Sequence, residues 1–276
     1  MKSRILVAVI GVPVLFAALL LCPPWATLLV TCGMTAVAAY EMIHTAAVDT
    51  PAAAYIITIS AAVLSLAARF LNLPALKDVD AVTLIRFALV ICLFCTAVFT
   101  YGKGHPLHFK SLAVCALSGV MIPAFYGCLF LLRQDAQYGK CYVLAPFFVA
   151  FLGDTLSMFA GMLFGKRKLA PHVSPKKTIA GGIGGLAGGA LGMVILGLIA
   201  GRFWQYPANY LLLATVGAGA NVFGQLGDLS MSVIKREVDI KDYSHLFLDH
   251  GGMLDRFDST LLIAPVIWLC VCGGIL

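Results

Sequence analysis

Apolar residues in this chain come in long unbroken blocks, without the alternation of a half-buried strand. The blocks cover 5–21, 25–42, 52–71, 82–101, 111–132, 141–164, 179–200, 208–234 and 260–276. A helix needs about 20 mostly apolar residues to cross the hydrocarbon of a bilayer. The pattern therefore predicts an all-α, polytopic membrane protein with about nine transmembrane helices. One integral membrane domain fills 1–276, with N-terminal helices in 1–140 and the helices and loops richest in polar chemistry in 141–276. An outer-membrane barrel is excluded, because its strands alternate over about ten residues. Lys2 and Arg4 ahead of the first block imitate a secretory leader, yet no small-residue cleavage site follows. The next span opens directly after Cys22-Pro23-Pro24-Trp25, so the first block is read as a retained helix.

The basic residues orient this array. The N-terminus and the loops after even-numbered spans hold Lys2, Arg4, Lys103, Lys110, Lys166, Arg167, Lys168, Lys176, Lys177, Lys235, Arg236, Lys241 and Arg256. The loops after odd-numbered spans hold Arg69, Lys77, Arg133, Lys140 and Arg202, with Arg86 near the start of the fourth span. The positive-inside bias predicts a cytoplasmic N-terminus, an outside C-terminus and a cytoplasmic loop 235–259.

Composition narrows the class further. With 61% hydrophobic residues, 12% charged and a mean hydropathy of +0.96, the chain cannot cover its apolar surface in water; a soluble domain carries roughly 25% charge. The net charge of +6 follows from the loop bias and suits anionic lipid, so no nucleic-acid partner is expected. Nine cysteines, an odd number scattered through apolar blocks, argue against a disulfide framework. Even the C-x-x-C spacing of Cys92 and Cys95 lies in mid-span and reads as packing.

Two blocks depart from plain hydrocarbon. Block 179–200 repeats glycine every four residues along two ridges, Gly181-Gly185-Gly189 and Gly184-Gly188-Gly192. Such ridges let two neighbouring helices approach closely where lipid supplies no hydrophobic drive. Block 208–234 places Asn221, Gln225, Asp228, Ser232 and Lys235 on one helix face, over about 21 Å at 1.5 Å per residue. A polar stripe that long is costly unless it meets water, a ligand, an ion or a hydrogen-bonding neighbour.

Acidic residues gather just beyond it. Seven of the 13 fall within 228–258: Asp228, Glu237, Asp239, Asp242, Asp249, Asp255 and Asp258. Asp255 and Asp258, three apart, point the same way on a helical turn. With Asp228 they have the oxygen chemistry for a hard divalent cation such as Mg²⁺. The turn His250-Gly251-Gly252 permits close backbone approach to a phosphate. A second basic loop, Gly165–Thr178, ends in Ser174-Pro175-Lys176-Lys177-Thr178 at the mouth of the glycine-rich helix. Lysines, a hydroxyl and helix N-terminal amides together suit a polyphosphate. Asp154 adds an intramembrane carboxylate with Ser157 one turn on, itself a functional candidate by default. His44, His105, His108 and His172 share no metal-ligand spacing, and neither a P-loop nor a G-x-S-x-G elbow is present.

These residues resemble the phosphatidate cytidylyltransferase (CDP-diacylglycerol synthase) family, whose signature runs S-x-x-K-R-x4-K-D, a variable stretch, then H-G-G-x-x-D-R-x-D. Ser232, Lys235, Arg236, Lys241, Asp242, His250, Gly251, Gly252, Asp255, Arg256 and Asp258 all match. So do Gly227-Asp228-Leu229, the pattern from Asp154 through Gly161 and Gly165 to the S-P-K-K-T turn, and Glu41 closing the second block. Departures are Met158, Ala180, Met231, and Leu248-Asp249 where Pro-Gly usually stands.

The resemblance implies that CTP and phosphatidate give CDP-diacylglycerol and pyrophosphate at the cytoplasmic face of the plasma or inner membrane, in a homodimer. It implies Mg²⁺, together with K⁺, on Asp228, Asp255 and Asp258. Reaction-site roles fall to these three with Ser232, Lys235, Arg236, Lys241, Asp242, His250 and Arg256. Substrate binding falls to Asp154, Ser174, Pro175, Lys176, Lys177, Thr178, Asn221, Gln225, Gly251 and Gly252. A CTP-dependent polyprenol or phytol kinase shares part of the pattern, but the full H-G-G-x-x-D-R-x-D favours the transferase. A CDP-alcohol phosphotransferase would need D-x-x-D-G-x-x-A-R, which is missing. A transporter could use the stripe as a path, and a pseudoenzyme scaffold would explain the departures; no second copy of the stripe supports paired transporter halves.

Overall fold

The structure is a computed structural model that describes residues 11–71, 79–247 and 251–276. Lys2, Arg4, Lys77, Leu248, Asp249 and His250 lie outside the described residues. In chain order the elements are α1 (Val12–Leu21), α2 (Pro24–Ala46), α3 (Ala52–Phe70), α4 (Ala81–Thr100), α5 (Phe109–Arg133), α6 (Gly139–Tyr142), α7 (Ala145–Phe164), β1 (Lys168–Ala170), β2 (Ser174–Thr178), α8 (Ile179–Trp204), α9 (Tyr210–Glu237) and α10 (Met253–Cys272). Local chemistry sets several ends. Pro24 opens α2 with its fixed φ and no wasted donor. The Asp80 side chain caps α4 by accepting from the Thr83 amide at 3.2 Å.

The chain is mostly helical, as a backbone in lipid must be to satisfy its own polar groups. Among the described residues six helices are long and apolar enough to cross a membrane: α2, α3, α4, α5, α8 and the run Gly139–Phe164 that joins α6 to α7. They coincide with the second to seventh expected spans. The eighth and ninth form α9 and α10, which carry charges within them. All nine cysteines are free.

One expectation needs correction. The loop between α7 and α8 is an antiparallel hairpin, with Lys168 opposite Thr178 and Ala170 opposite Ser174. Strands of three and five residues have too little apolar periodicity to be read, and the hairpin forms by pairing across the turn at 171–173.

Two compact units make up the chain. The first comprises residues up to Ala18, Cys22–Gly127 and Glu237–Arg256. Its core brings together Ile43, Ala54, Leu89, Leu93, Leu107, Leu112 and Cys115 from α2 to α5 and the α4–α5 connection. The second comprises Leu19–Leu21, Cys128–Arg236 and Phe257–Leu276. The boundary at 256–257 coincides with a break in α10, where Phe257 leaves helical geometry at φ −122° and ψ 18°.

In the second unit α7 and α8 pack most closely, and the glycine ridges explain why. A methyl group at Gly184, Gly188 or Gly192 would lie 2.7, 2.3 or 2.6 Å from the carbonyl oxygens of Leu156, Leu152 and Phe148 on α7. The other ridge turns mainly to α9. A methyl at Gly189 would sit 2.5 Å from the Gly217 oxygen, and one at Gly185 would sit 2.8 Å from the Gln225 amide nitrogen. Gly181 departs from its ridge: a methyl there would meet the Ser157 carbonyl oxygen of α7 at 2.9 Å. Two backbones thus close on α8, as the spacing predicts.

Gly188→Ala should therefore lower stability by about 1–3 kcal/mol, because its nearest neighbour is backbone and cannot rotate away. Gly219→Ala is the control: nothing lies within 4 Å of its site, and a better helix former there should be neutral or stabilising by up to about 1 kcal/mol. Thermal unfolding in detergent of the two variants checks the contrast.

Candidate active site

The polar stripe on α9 divides into two halves with different duties. In the upper half, the Asn221 side-chain amide donates to the Val149 carbonyl at 3.4 Å. The Gln225 amide donates to the Gly182 carbonyl at 3.0 Å and to Asn221 Oδ1 at 2.8 Å. Asn221 is buried, and a methyl at Gly153 would fall 2.0 Å from its Nδ2. These two residues form a hydrogen-bonded seam tying α9 to α7 and α8. The sequence left both a seam and a substrate contact open for them, and the seam accounts for their contacts here.

The lower half carries charge. Asp228 Oδ2 is ion-paired with the Lys177 ammonium. Its Oδ1 accepts a long contact of 3.4 Å from the Ser232 hydroxyl, one helical turn away. Gly227 lets α10 come close: a methyl there would lie 2.6 Å from the Asp258 carbonyl oxygen. Asp258 precedes the apolar run 260–276 and accepts from the Ser259 amide at 2.7 Å. Burial, and next the negative charge of Asp228, push the Asp258 carboxyl up to about 8; Asp154 adds to the rise and Lys235 opposes it. Asp154, Asp228, Asp258, Lys177 and Lys235 thus share one electrostatic neighbourhood.

The hairpin explains how Lys177 arrives there. Successive strand residues point to opposite faces, and in β2 Lys176 is exposed while Lys177 is half-buried against Asp228. The two lysines are therefore not equivalent. Ser174 is half-buried and Pro175 exposed. Thr178 ends the strand and caps α8, its Oγ1 accepting from the Gly181 amide at 3.1 Å. Arg236, exposed at the end of α9, donates to the Val173 carbonyl at 3.4 Å, a loose tie to the hairpin turn. Asp154 is exposed on α7.

The remaining signature residues belong to the first unit. Lys241 and Arg256 are exposed, and Asp242 is half-buried. Asp255 Oδ2 accepts from the Tyr243 amide at 2.7 Å and the Gly252 amide at 2.9 Å. Gly251 has φ +80°, a left-handed conformation that suits glycine, and a methyl on it would meet Asp255 Oδ2 at 2.8 Å. The sequence marks Glu41 only as the acid closing 25–42; the structure buries it against the same loop.

Among the described residues no three His, Cys, Asp or Glu side chains form a group that could hold a metal. The donor chemistry nevertheless fits a hard cation. Asp228 and Asp258 are oxygen donors; burial first and the charge of Asp228 second raise Asp258, and a bound divalent charge relieves the repulsive part of that conflict.

Comparison with known proteins gives the family. The sequence pattern of the Cytidylyltransferase family matches residues 2–272. The chain is 32% identical over 191 residues to a phosphatidate cytidylyltransferase of Bacillus subtilis, covering 69% of each. It is 34% identical over 180 residues to the Staphylococcus haemolyticus protein of that name, covering 65% of this chain and 66% of the relative. Against the Aquifex aeolicus protein of the same name, identity is 36% over 152 residues, covering 54% and 55%. A match that runs from the first helix through α10 and takes in every charged element of the site makes this chain a member of the cytidylyltransferase family, a nucleotidyltransferase enzyme.

Proposed function

We propose that the chain transfers the cytidylyl group of CTP to phosphatidate, giving CDP-diacylglycerol and pyrophosphate. The observation that carries this reading is the Lys177–Asp228 pair beside Asp258, a cation and two carboxylates at the charged end of a membrane helix. The named relatives supply the substrate class. A phosphatidate oxygen attacks the α-phosphorus of CTP, the bond to the β-phosphate breaks, and pyrophosphate leaves with the electron pair. Both reactants are anions, so positioning and charge neutralisation dominate and no covalent enzyme intermediate is needed. Lys177 moves from Asp228 to a phosphate oxygen as the triphosphate arrives. Lys235, Arg236, Lys241 and Arg256 neutralise further phosphate charge. Asp228, Asp255 and Asp258 would hold Mg²⁺, with K⁺ as companion. When bound, the cation neutralises the triphosphate and the departing pyrophosphate.

The reading includes nine spans, a cytoplasmic N-terminus, an active site facing the cytoplasm of the plasma membrane, and a homodimer. Parity of the loops supports the topology. Glu41, at the end of the second expected span, is hydrogen-bonded to Ser244 in the loop after the eighth. Lys177, after the sixth, pairs with Asp228 near the end of the eighth. Each pair joins even-numbered ends, as one shared side requires.

Purified protein given CTP and labelled phosphatidate should release pyrophosphate and form CDP-diacylglycerol; release of CDP instead would make it a lipid kinase. Cysteines introduced at exposed positions 239 or 241 of a cysteine-free variant should resist membrane-impermeant labelling from outside intact cells, and ready labelling would reverse the topology. Lys177→Ala should raise KM for CTP about tenfold, as loss of a phosphate-directed point charge does, with Lys176→Ala milder. Equal effects would deny them different duties. Asp→Asn at 228, 255 or 258 should each remove most Mg²⁺-dependent turnover, with double variants far from additive; near-normal Asp255→Asn would break the shared site.

A further inference from the structure

Helix α10 begins in an unusual way. Its first residues are Met253 and Leu254, and the residue at the cap position is Gly252. A helix start leaves its first amides without partners, and a Ser, Thr, Asn or Asp side chain at the cap ordinarily accepts from them. Gly252 has no side chain to offer. Asp255, at the third helical position, supplies only the reciprocal half of a capping box by accepting the Gly252 amide.

The other half comes from α2. Glu41, 2% exposed, accepts from the Met253 amide through Oε1 and from the Leu254 amide through Oε2, both at 2.9 Å. Its Oε1 also accepts from the Ser244 hydroxyl at 2.6 Å. A methyl built on Gly252 would fall 2.3 Å from Oε1 and 2.6 Å from the carboxyl carbon. Glu41 therefore occupies the space a cap side chain would need. Among the described glycines the left-handed ones are Gly102, Gly251 and Gly274, so bulk rather than backbone strain demands glycine at 252.

We propose that Glu41 is a positioning residue of the transfer reaction. It replaces the missing cap side chain of α10 and, by holding the Met253 and Leu254 amides, keeps Asp255 in place against the Tyr243 and Gly252 amides. The second glycine of the H-G-G turn is then matched to Glu41 rather than to a substrate phosphate. This role rests on the proposed transfer only where turnover is the readout.

The test is a cycle of Glu41→Ala and Gly252→Ser. Glu41→Ala should lower kcat about tenfold or more while KM for phosphatidate stays near its starting value. Gly252→Ser alone should be at least as damaged, since its side chain strikes Glu41. The double variant should recover much of the activity, because the vacated space admits a serine that caps the helix itself. Hydrogen exchange of metal-free protein gives a second readout independent of turnover. The peptide across 252–256 should exchange faster in Glu41→Ala, α3 and α4 should not change, and protection should return in the double variant. Glu41→Gln, which keeps volume but turns an amide donor toward a backbone amide, serves if the alanine variant does not fold; it should loosen the same peptide less. Additive losses in the cycle, or unchanged exchange across 252–256, would overturn the proposal. Normal exchange behaviour of all variants alongside a wild type that makes no CDP-diacylglycerol would sink both ideas. The expected exchange pattern with an inactive wild type would sink only the transfer reading.

Discussion

The second unit depends on glycine-to-carbonyl contact. Lipid gives helices no solvent-driven reason to associate, so they are held by close van der Waals approach and by hydrogen bonds between them. Gly184, Gly188 and Gly192 bring the backbone of α8 onto that of α7, and Gly185 and Gly189 open its other side to α9. Only because these backbones touch can the short side chains of Asn221 and Gln225 reach main-chain carbonyls on the neighbouring helices. The seam fixes the rotation of α9, and that rotation aims Asp228 at Lys177. The charged end is aligned by the uncharged one.

The three signature carboxylates sit in three different environments. Asp228 is answered by an ammonium, Asp258 stands beside Asp228 with its proton affinity raised, and Asp255 accepts two backbone amides through one oxygen. Similar acids in similar sequence context thus differ in charge compensation. An amide-bound oxygen is fixed in place, whereas a lysine-bound one can exchange its partner for a stronger cation.

Much of this was legible in the sequence. Long apolar blocks have one solution in a bilayer, so the helices from 24 to 204 follow the expected spans closely. The four-residue glycine spacing carried its own meaning, and both neighbours it called for are there. The hairpin was not legible, because strands of three and five residues leave no periodic trace. Without it, Lys176 and Lys177 read as a matched pair on a turn. The division of the α9 stripe was also hidden, since a face of Asn, Gln, Asp, Ser and Lys looks uniform until its partners are known. Glu41 was least visible. Its meaning depends on a side chain that Gly252 lacks, and no local pattern connects the two.

The reach of Glu41 bears on how the protein is made. Its carboxylate enters the membrane near the start of synthesis, but its three donors leave the ribosome 203 to 213 residues later. Closing so long a loop costs little at equilibrium, about 0.6 kcal/mol for each doubling of length. In time it is a late event, because contacts so distant in sequence cannot form until both ends exist. The helices of α2 to α8 can insert and pack first, whereas α10 gains its cap last. A nascent chain that stalls before Ser244 therefore leaves the Glu41 carboxylate with none of those donors.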